Sequence, residues 1–438
     1  MELKSCMKVY QKETHRSKVL DETYEKAAGL AEIAGITRVA DITKLDRIGI
    51  PVFSCIRPEA SEGAISVYNG KGATPLAAKV SAIMEGLERY SGEPLDREFT
   101  EGRFPELAGS DDPSVPAVLD PAVLILPEGA DPDARIAWVN GFLIDDGSYD
   151  PENMDKNDEE TCRRKSIGCV DVLIPADAVC HPVPKKYHRL FRSGTNGLAS
   201  GNTIEEAVYH GLCEVIERDA WSLAEASKSA GKVIEDIDDP DINRLLDLFR
   251  NAGVDIILRD ITSDIGVPTV AAVSDDIDLK DPALLCLGMG THSSPKIAAL
   301  RALTEVAQSR ATQIHGARED TTTADVRKQI GYERTKRLNA MWFDMTEKIS
   351  FGDIKGCSHD DFLDEICETI QKLKAAGFST VLFADLTRDD IKVPVVKVII
   401  PGAECAAIDS ERKGVRYREA QKRMKKENRP VRRYVPKT

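Results

Sequence analysis

Two rhythms of apolar and polar positions run along this chain. Stretches such as "IPVFSCI" and "AISVYNG" near residues 50–70, "VDVLIPADAV" from Val170, "STVLFADLT" from Ser379 and "VPVVKVIIPG" from Val393 are short, apolar and β-branched, and read as strands. "DIILRDITSDIGVPTVAAVSD" from Asp255 reads as two strands around a turn, with "ALLCLGMGTHS" as a third. Between them the period lengthens. "DETYEKAAGLAEIAGI" predicts a polar helix with Asp21 as N-cap and Gly35 near its end, and "DFLDEICETIQKLKAAGF" an amphipathic helix ending near Gly377. Strands and helices alternate throughout, which gives an α/β (α+β) class.

Three segments align without gaps: "GKGATPLAAKVSAIMEGLERYS" from Gly70, "ASGNTIEEAVYHGLCEVIERDA" from Ala199 and "GTHSSPKIAALRALTEVAQSRA" from Gly290. In each, a Gly-containing loop follows an apolar strand and leads to an N-cap residue: Thr74, Thr203 or Ser294. Pro75 and Pro295 then occupy the first helical position in two of the three. Ala78, Ala207 and Ala298 stand four residues after the caps; Glu85, Glu214 and Glu305 stand eleven after. The fold expected is a set of repeated strand–Gly loop–helix units.

On each helix the polar positions fall on one line, because residues three and four apart share a face. The lines are Ser81, Glu85 and Glu88; then Glu206, His210, Glu214 and Glu217; then Arg301, Glu305 and Gln308. A solvent-facing side laced with Glu/Arg pairs would also give such a line. The second helix argues against that, since Ala207, Val208, Tyr209, Gly211, Leu212, Cys213, Val215 and Ile216 make it apolar nearly all round. Carboxylates on a buried helix must face a cavity, a metal or a partner charge. Several converging on one cavity need cations, and oxygen-only ligands suit Mg²⁺ shared with substrate phosphates. The loops "NGKG" (69–72) and "NGLASGN" (196–202) bring backbone N–H groups and Lys71 to helix N-termini, where anions bind. Neither fits the Walker pattern, so a Mg–nucleotide site outside the common nucleotide folds is expected.

Composition narrows this further. With 438 residues, 42% of them hydrophobic, the chain is globular, with no apolar run of membrane-spanning length. Its N-terminus lacks the apolar centre of a secretion signal, so a cytoplasmic protein with no membrane partner is expected. A net charge of −14 argues against a nucleic-acid binder. The ten cysteines show no C-x-x-C pair and read as reduced core thiols, although Cys162, Cys169 and Cys180 lie close enough to be weighed as a metal group. Residues 145–165 are acidic, then basic, and read as an exposed insertion. From Glu411 to Thr438 there are 12 Lys or Arg against 3 Glu, a solvated tail or a dock for an acidic partner. The organisation expected is an N-terminal segment (1–60), a catalytic domain (61–405) and a basic tail (406–438).

The three segments resemble the YcaO family of ATP-dependent enzymes that modify peptide backbones. The family shows S-x-x-x-E-x-x-E-R, then N-x-x-x-E-x-x-x-Q-x-x-x-E-x-x-E-R, then R-x-x-x-E-x-x-Q. This chain has Ser81, Glu85, Glu88 and Arg89; Asn202, Glu206, His210, Glu214, Glu217 and Arg218; Arg301, Glu305 and Gln308. It departs at His210, where Gln is frequent, and at Ala199, where a Ser often contacts the nucleotide. The resemblance implies that Glu85, Glu88, Glu214, Glu217 and Glu305 bind Mg²⁺. It implies that Lys71, Arg218 and Arg301 engage the phosphates of ATP in the catalytic role, and that Ser81, Asn202, Glu206 and Gln308 contact ATP or order its ligands. "YQKETHR" (Tyr10 to Arg16) and "ADITKLDRIGIPVFSCIRP" resemble methanogen-type members. Those thioamidate a glycine in the α subunit of methyl-coenzyme M reductase, using an external sulfide source and a TfuA-like partner protein. A homodimer is implied as well. Azoline-forming members often end in a PxPxP tail, whereas this chain ends "RPVRRYVPKT". A non-catalytic ATP-binding scaffold is the remaining alternative. His15 and His292 are candidates for the edge of the site and stay outside the set.

Overall fold

A computed structural model of the chain describes residues 1–95, 97–110, 112, 114–145, 166–318 and 322–427. The expected acidic insertion lies almost wholly outside the described residues, as do Cys162 and the end of the basic tail.

The three repeated units are β1 (Val67–Lys71) with α1 (Pro75–Gly92), β2 (Leu198–Ser200) with α2 (Ile204–Ser227), and β3 (Leu287–Thr291) with α3 (Pro295–His315). Each strand is the edge of a different sheet. β1 closes a three-stranded sheet with Arg38–Asp41 and Val52–Ile56. β2 ends the largest sheet, pairing with Val395–Ile399, which continues through Leu382–Asp385, Ile136–Asp145 and Ser166–Pro175 to Glu2–Lys4. β3 ends a five-stranded sheet beside Thr269–Asp275. All three edge strands pair antiparallel, in registers such as Val52↔Lys71, Leu198↔Lys397 and Thr269↔Thr291. Three sheet edges therefore deliver three helix N-termini to one region. The α/β mixture read from the sequence is the observed class.

Small residues make this possible. A Cβ on Gly70 would fall on the Ala82 nitrogen and the Ala78 carbonyl, and one on Gly290 would meet the Ala298 carbonyl. Ala78, Ala82, Ala298 and Ala302 are themselves fully buried. Glycine on the strand and alanine on the helix thus let α1 lie directly on β1 and α3 on β3. Larger side chains on the other faces then hold the helices in place. Ile297, Leu300, Leu303 and Val306 are at most 2% exposed, and each such burial contributes about 1.5–3 kcal/mol.

The first 60 residues are woven into this frame. Glu2–Lys4 extends the largest sheet, and Lys8 forms a buried ion pair with Glu365. Beyond residue 406, α4 (Val415–Glu427) lies against α2, with Arg416 bound to Asp219 (2.9 Å) and Asp264 (2.6 Å). Buried Glu404 accepts from the N–H groups of Gly414 and Tyr417. A cavity of about 960 Å³ between α4 and α2 carries none of the three polar lines.

Two caps differ from expectation. The first helix spans Leu20–Leu30 with Val19 at its N-cap, so Asp21 sits in the first turn, where its charge favours the helix dipole. Thr74 and Thr203 cap as expected, but the Ser294 side chain makes no cap bond. There the N–H of Ser294 instead donates to His292 Nδ1 at 2.9 Å. Among the described residues, no helix is long and apolar enough to cross a membrane.

Candidate active site

A cavity of about 570 Å³ lies where α1, α2 and α3 meet, and the twelve residues given a metal, phosphate or nucleotide role in the sequence reading line it, with Arg89 and His210. Each polar line is the inward face of its helix. The carboxylates are not gathered into one cluster. Among the described residues, no three His, Cys, Asp or Glu side chains stand close enough to hold a metal. Each acid is turned to a nearby cation or N–H instead.

Glu85 accepts from Arg89, with Nε at 2.8 Å. Glu88 accepts from the backbone N–H of Ser200 at 2.8 Å and its hydroxyl at 3.0 Å. Arg218 stands 3.4 Å from Glu217 and 3.8 Å from Glu214, with its guanidinium 5.6 Å from the centre of the Trp221 ring. Glu217 also accepts from the N–H of Thr291, which ties α2 to the end of β3. Lys71 pairs with Glu305 across the cavity, and Ser81 Oγ accepts from the Lys71 N–H.

Electrostatics divides the acids. Burial pushes Glu88 well above its ordinary range, reinforced by Glu85. Burial also raises Glu214 and Glu217. Burial would raise Glu305 too, but Lys71 and Arg218 hold it below its usual value. The cationic groups include one that is unsatisfied: the Arg301 Nε is buried without a hydrogen-bond partner.

The far end of the cavity is built from a segment that the repeats do not contain. Glu206 accepts from the N–H of Ser17 (3.0 Å), the hydroxyl of Ser17 (2.6 Å) and Asn202 Nδ2 (3.2 Å). Arg16 lies 3.6 Å from Glu206 and donates to His210. Burial, with Arg16 and Arg301 nearby, holds His210 well below its ordinary range, so it is neutral and accepts. Asn202 Oδ1 accepts from Thr23 at 3.0 Å. Arg16, Ser17 and Thr23 were not singled out from the sequence, because nothing local marks residues that reach the site from about 180 to 190 positions away, and Ser200, inside the second repeat, was passed over beside Ala199. At Ala199 the cavity wall has no side-chain hydroxyl, and Ser200 beside it supplies one to Glu88. His15 and His292 meet edge to face at 4.7 Å, buried outside the cavity lining.

The family profile described as YcaO cyclodehydratase, ATP- and Mg²⁺-binding, matches residues 69–404. An uncharacterized protein of Methanothermobacter thermautotrophicus is 48% identical over 405 residues, covering 91% of this chain and 97% of its own. An uncharacterized protein in the tfuA 3' region of Rhizobium leguminosarum bv. trifolii is 32% identical over 391 residues, 84% of each chain. Among solved structures, YcaO from Methanopyrus kandleri bound with AMPPCP and Mg²⁺ is similar with a TM-score of 0.73 at 28% identity, covering 94% of this chain and 98% of that one. The chain belongs to the YcaO family of ATP-utilising enzymes, and its cofactors are ATP and Mg²⁺.

The residues fit those cofactors. Five carboxylates line one cavity and offer the kind of oxygen donor that Mg²⁺ takes, though each is turned to a cation or N–H rather than gathered, and the unpartnered Arg301 Nε is a donor aimed at no protein acceptor. A pH dependence follows. The raised acids Glu88, Glu214 and Glu217 keep protons in the folded state above pH 4.5 that the unfolded chain has lost. Folding stability without the metal therefore falls as pH rises through the window above 4.5. If these acids hold Mg²⁺ they must be ionised, so its binding would release protons and tighten with pH. Thermal melts with Mg²⁺ and a non-hydrolysable ATP analogue should show a larger stabilisation near pH 8 than near pH 5.5. Equal shifts at both would contradict the assignment of these acids.

Proposed function

We propose that this chain thioamidates a peptide backbone at the expense of ATP, forming thioglycine in the α subunit of methyl-coenzyme M reductase. Sulfide from an external source adds to the carbonyl carbon of a glycine amide. The oxygen of the tetrahedral adduct takes the γ-phosphoryl of ATP, releasing ADP. Collapse to C=S then expels phosphate, and the nitrogen keeps its proton. An amide oxygen leaves poorly until phosphorylated, and transferring the phosphoryl is a matter of positioning and charge. Lys71, Arg218 and Arg301 hold the phosphates; Glu85, Glu88, Glu214, Glu217 and Glu305 hold Mg²⁺. Ser81, Asn202, Glu206 and Gln308 order the nucleotide. The enzyme acts as a homodimer with a TfuA-like partner.

The observation that carries this reading is the convergence of three polar lines, with an unpartnered Arg301 Nε, on one cavity. The branch is supported by the 48% identity to a methanogen protein and by the relative from a tfuA 3' region. The family's description as a cyclodehydratase favours a second reading, azoline formation from a Cys, Ser or Thr side chain.

Mass spectrometry separates the two. A glycine-containing peptide from the reductase, incubated with the enzyme, Mg-ATP and sulfide, should gain sulfur for oxygen in an ATP-dependent way. Glu214→Ala should reduce that conversion by at least about a hundredfold. No gain, even with a TfuA-like protein present, would sink the sulfur assignment. Loss of water from a Cys- or Ser-containing peptide would then identify a ring former.

A further inference from the structure

Two buried acceptors in the cavity wall have no partner, Glu13 Oε1 and Asn69 Oδ1, and the second is held in a fixed orientation. Asn69 lies on β1, two residues before Lys71 and on the same strand face. It is 3% exposed and lines the cavity, and its Oδ1 makes no hydrogen bond. Its amide orientation is fixed by a closed ring of bonds to α3. Asn69 Nδ2 donates to Thr312 Oγ1 at 2.7 Å, the Thr312 hydroxyl donates to the Gln308 carbonyl at 2.7 Å, and Gln308 Nε2 donates to the Asn69 carbonyl. The single hydroxyl proton of Thr312 is spent on Gln308, so its oxygen can only accept from Asn69. The NH₂ of Asn69 must therefore face Thr312, and the group left over is an acceptor.

An unsatisfied buried acceptor is costly unless a ligand completes it. The ligand must bring a hydrogen-bond donor or a cation, and a phosphate oxygen is neither. It must also sit about 7 Å from the position of Lys71 along the strand. Lys71, assigned to the phosphates under the proposed function, is paired with Glu305. A peptide amide whose oxygen points to the transferring phosphoryl presents its N–H on the opposite side.

We propose that Asn69 is a substrate-binding residue whose Oδ1 accepts the N–H of the backbone amide being modified. Gln308 and Thr312 are positioning residues that hold the Asn69 amide in that orientation. The assignment rests on the reading of the chain as a peptide-amide-modifying enzyme and adds the residue that orients the amide.

The test reads binding separately from chemistry. The probe is the glycine-containing reductase peptide labelled with a fluorophore, measured by polarisation against enzyme saturated with Mg²⁺ and a non-hydrolysable ATP analogue. A second probe carries an N-methyl group on the nitrogen of the amide to be modified. Wild-type enzyme should bind the methylated peptide roughly tenfold more weakly. Asn69→Ala should bind the parent peptide roughly tenfold more weakly, with no further loss on methylation, and bind the nucleotide as wild type does. Asn69→Asp keeps an acceptor oxygen and should stay within about threefold of wild type on the parent peptide.

Equal methylation penalties in wild type and Asn69→Ala would overturn the proposal. So would Asn69→Ala weakening nucleotide binding as much as peptide binding, which would make Asn69 a metal or nucleotide ligand. Asp binding as poorly as Ala would do the same. Sulfur uptake is scored in parallel. Its absence beside a clear Asn69 effect would sink thioamidation alone, and its presence beside no Asn69 effect would sink this proposal alone.

Discussion

Replacing Arg301 with methionine is expected to lower peptide-dependent ADP formation by about a thousandfold while leaving the folded protein as stable as before, or more so. The two halves of that expectation have one cause. Arg301 stands on the inward line of α3, one turn before Glu305, in the cavity wall. Its Nε is buried with no hydrogen-bond partner. Its charge also works against that of Arg16, whose guanidinium burial already pushes down, Glu206 only partly restoring it. The unsatisfied Nε and the repulsion from Arg16 cost stability, and attraction to Glu217 and Glu305 offsets part of that cost. Methionine keeps most of the aliphatic stem and removes that cost. A group held at such a cost belongs to whatever completes it, which under the proposed function is the transferring phosphoryl. Steady-state kinetics with a coupled ADP assay and a thermal melt on the same preparation would test both halves. A large loss of stability with little loss of rate would make Arg301 a packing residue and refute the assignment.

Gly70→Ala is expected to destabilise the fold by about 4 kcal/mol or more, among the largest effects of any single methyl group in this chain. The added Cβ would collide with the Ala82 nitrogen and the Ala78 carbonyl. Both are helix backbone atoms, which cannot rotate away as a side chain can. α1 would have to lift from β1, taking Ser81, Glu85 and Glu88 out of the cavity wall. Gly29→Ala is the control. Gly29 lies in the Leu20–Leu30 helix, has nothing within 4 Å of where a methyl would stand and keeps an ordinary φ. The change there should stabilise by about 0.5–1 kcal/mol. Denaturant titrations of the two variants should move in opposite directions. A Gly70→Ala protein with an unchanged midpoint would show that helix and strand are not in direct contact.

These glycines also revise how the loops are understood. "NGKG" suggested backbone approach to an anion. The close approach that Gly70 serves is that of β1 to α1, and the cationic contribution of the loop comes from Lys71, held by Glu305.

The sequence by itself determined the parts of the site that repeat. Thr74 and Thr203 cap their helices, Ala78 and Ala298 mark the faces that touch the strands, and the spacing of Glu85, Glu88, Glu214, Glu217 and Glu305 gives each helix one polar line. These are legible because helix period, capping and close packing act within a few residues. Even there, local rules can miss. Ser294 holds the cap position without a side-chain cap bond, and Asp21 yields the cap to Val19.

Only the tertiary structure decided which faces meet. The period of a strand says that it has an edge, not that three edges from three sheets converge. Nor could spacing pair Lys71 with Glu305, bring Ser17 to Glu206 or close the ring between Asn69, Thr312 and Gln308. Those partners lie from about 190 to 240 positions apart, except within α3 itself. Their proximity is set by the packing of whole elements, which periodicity along the chain does not encode.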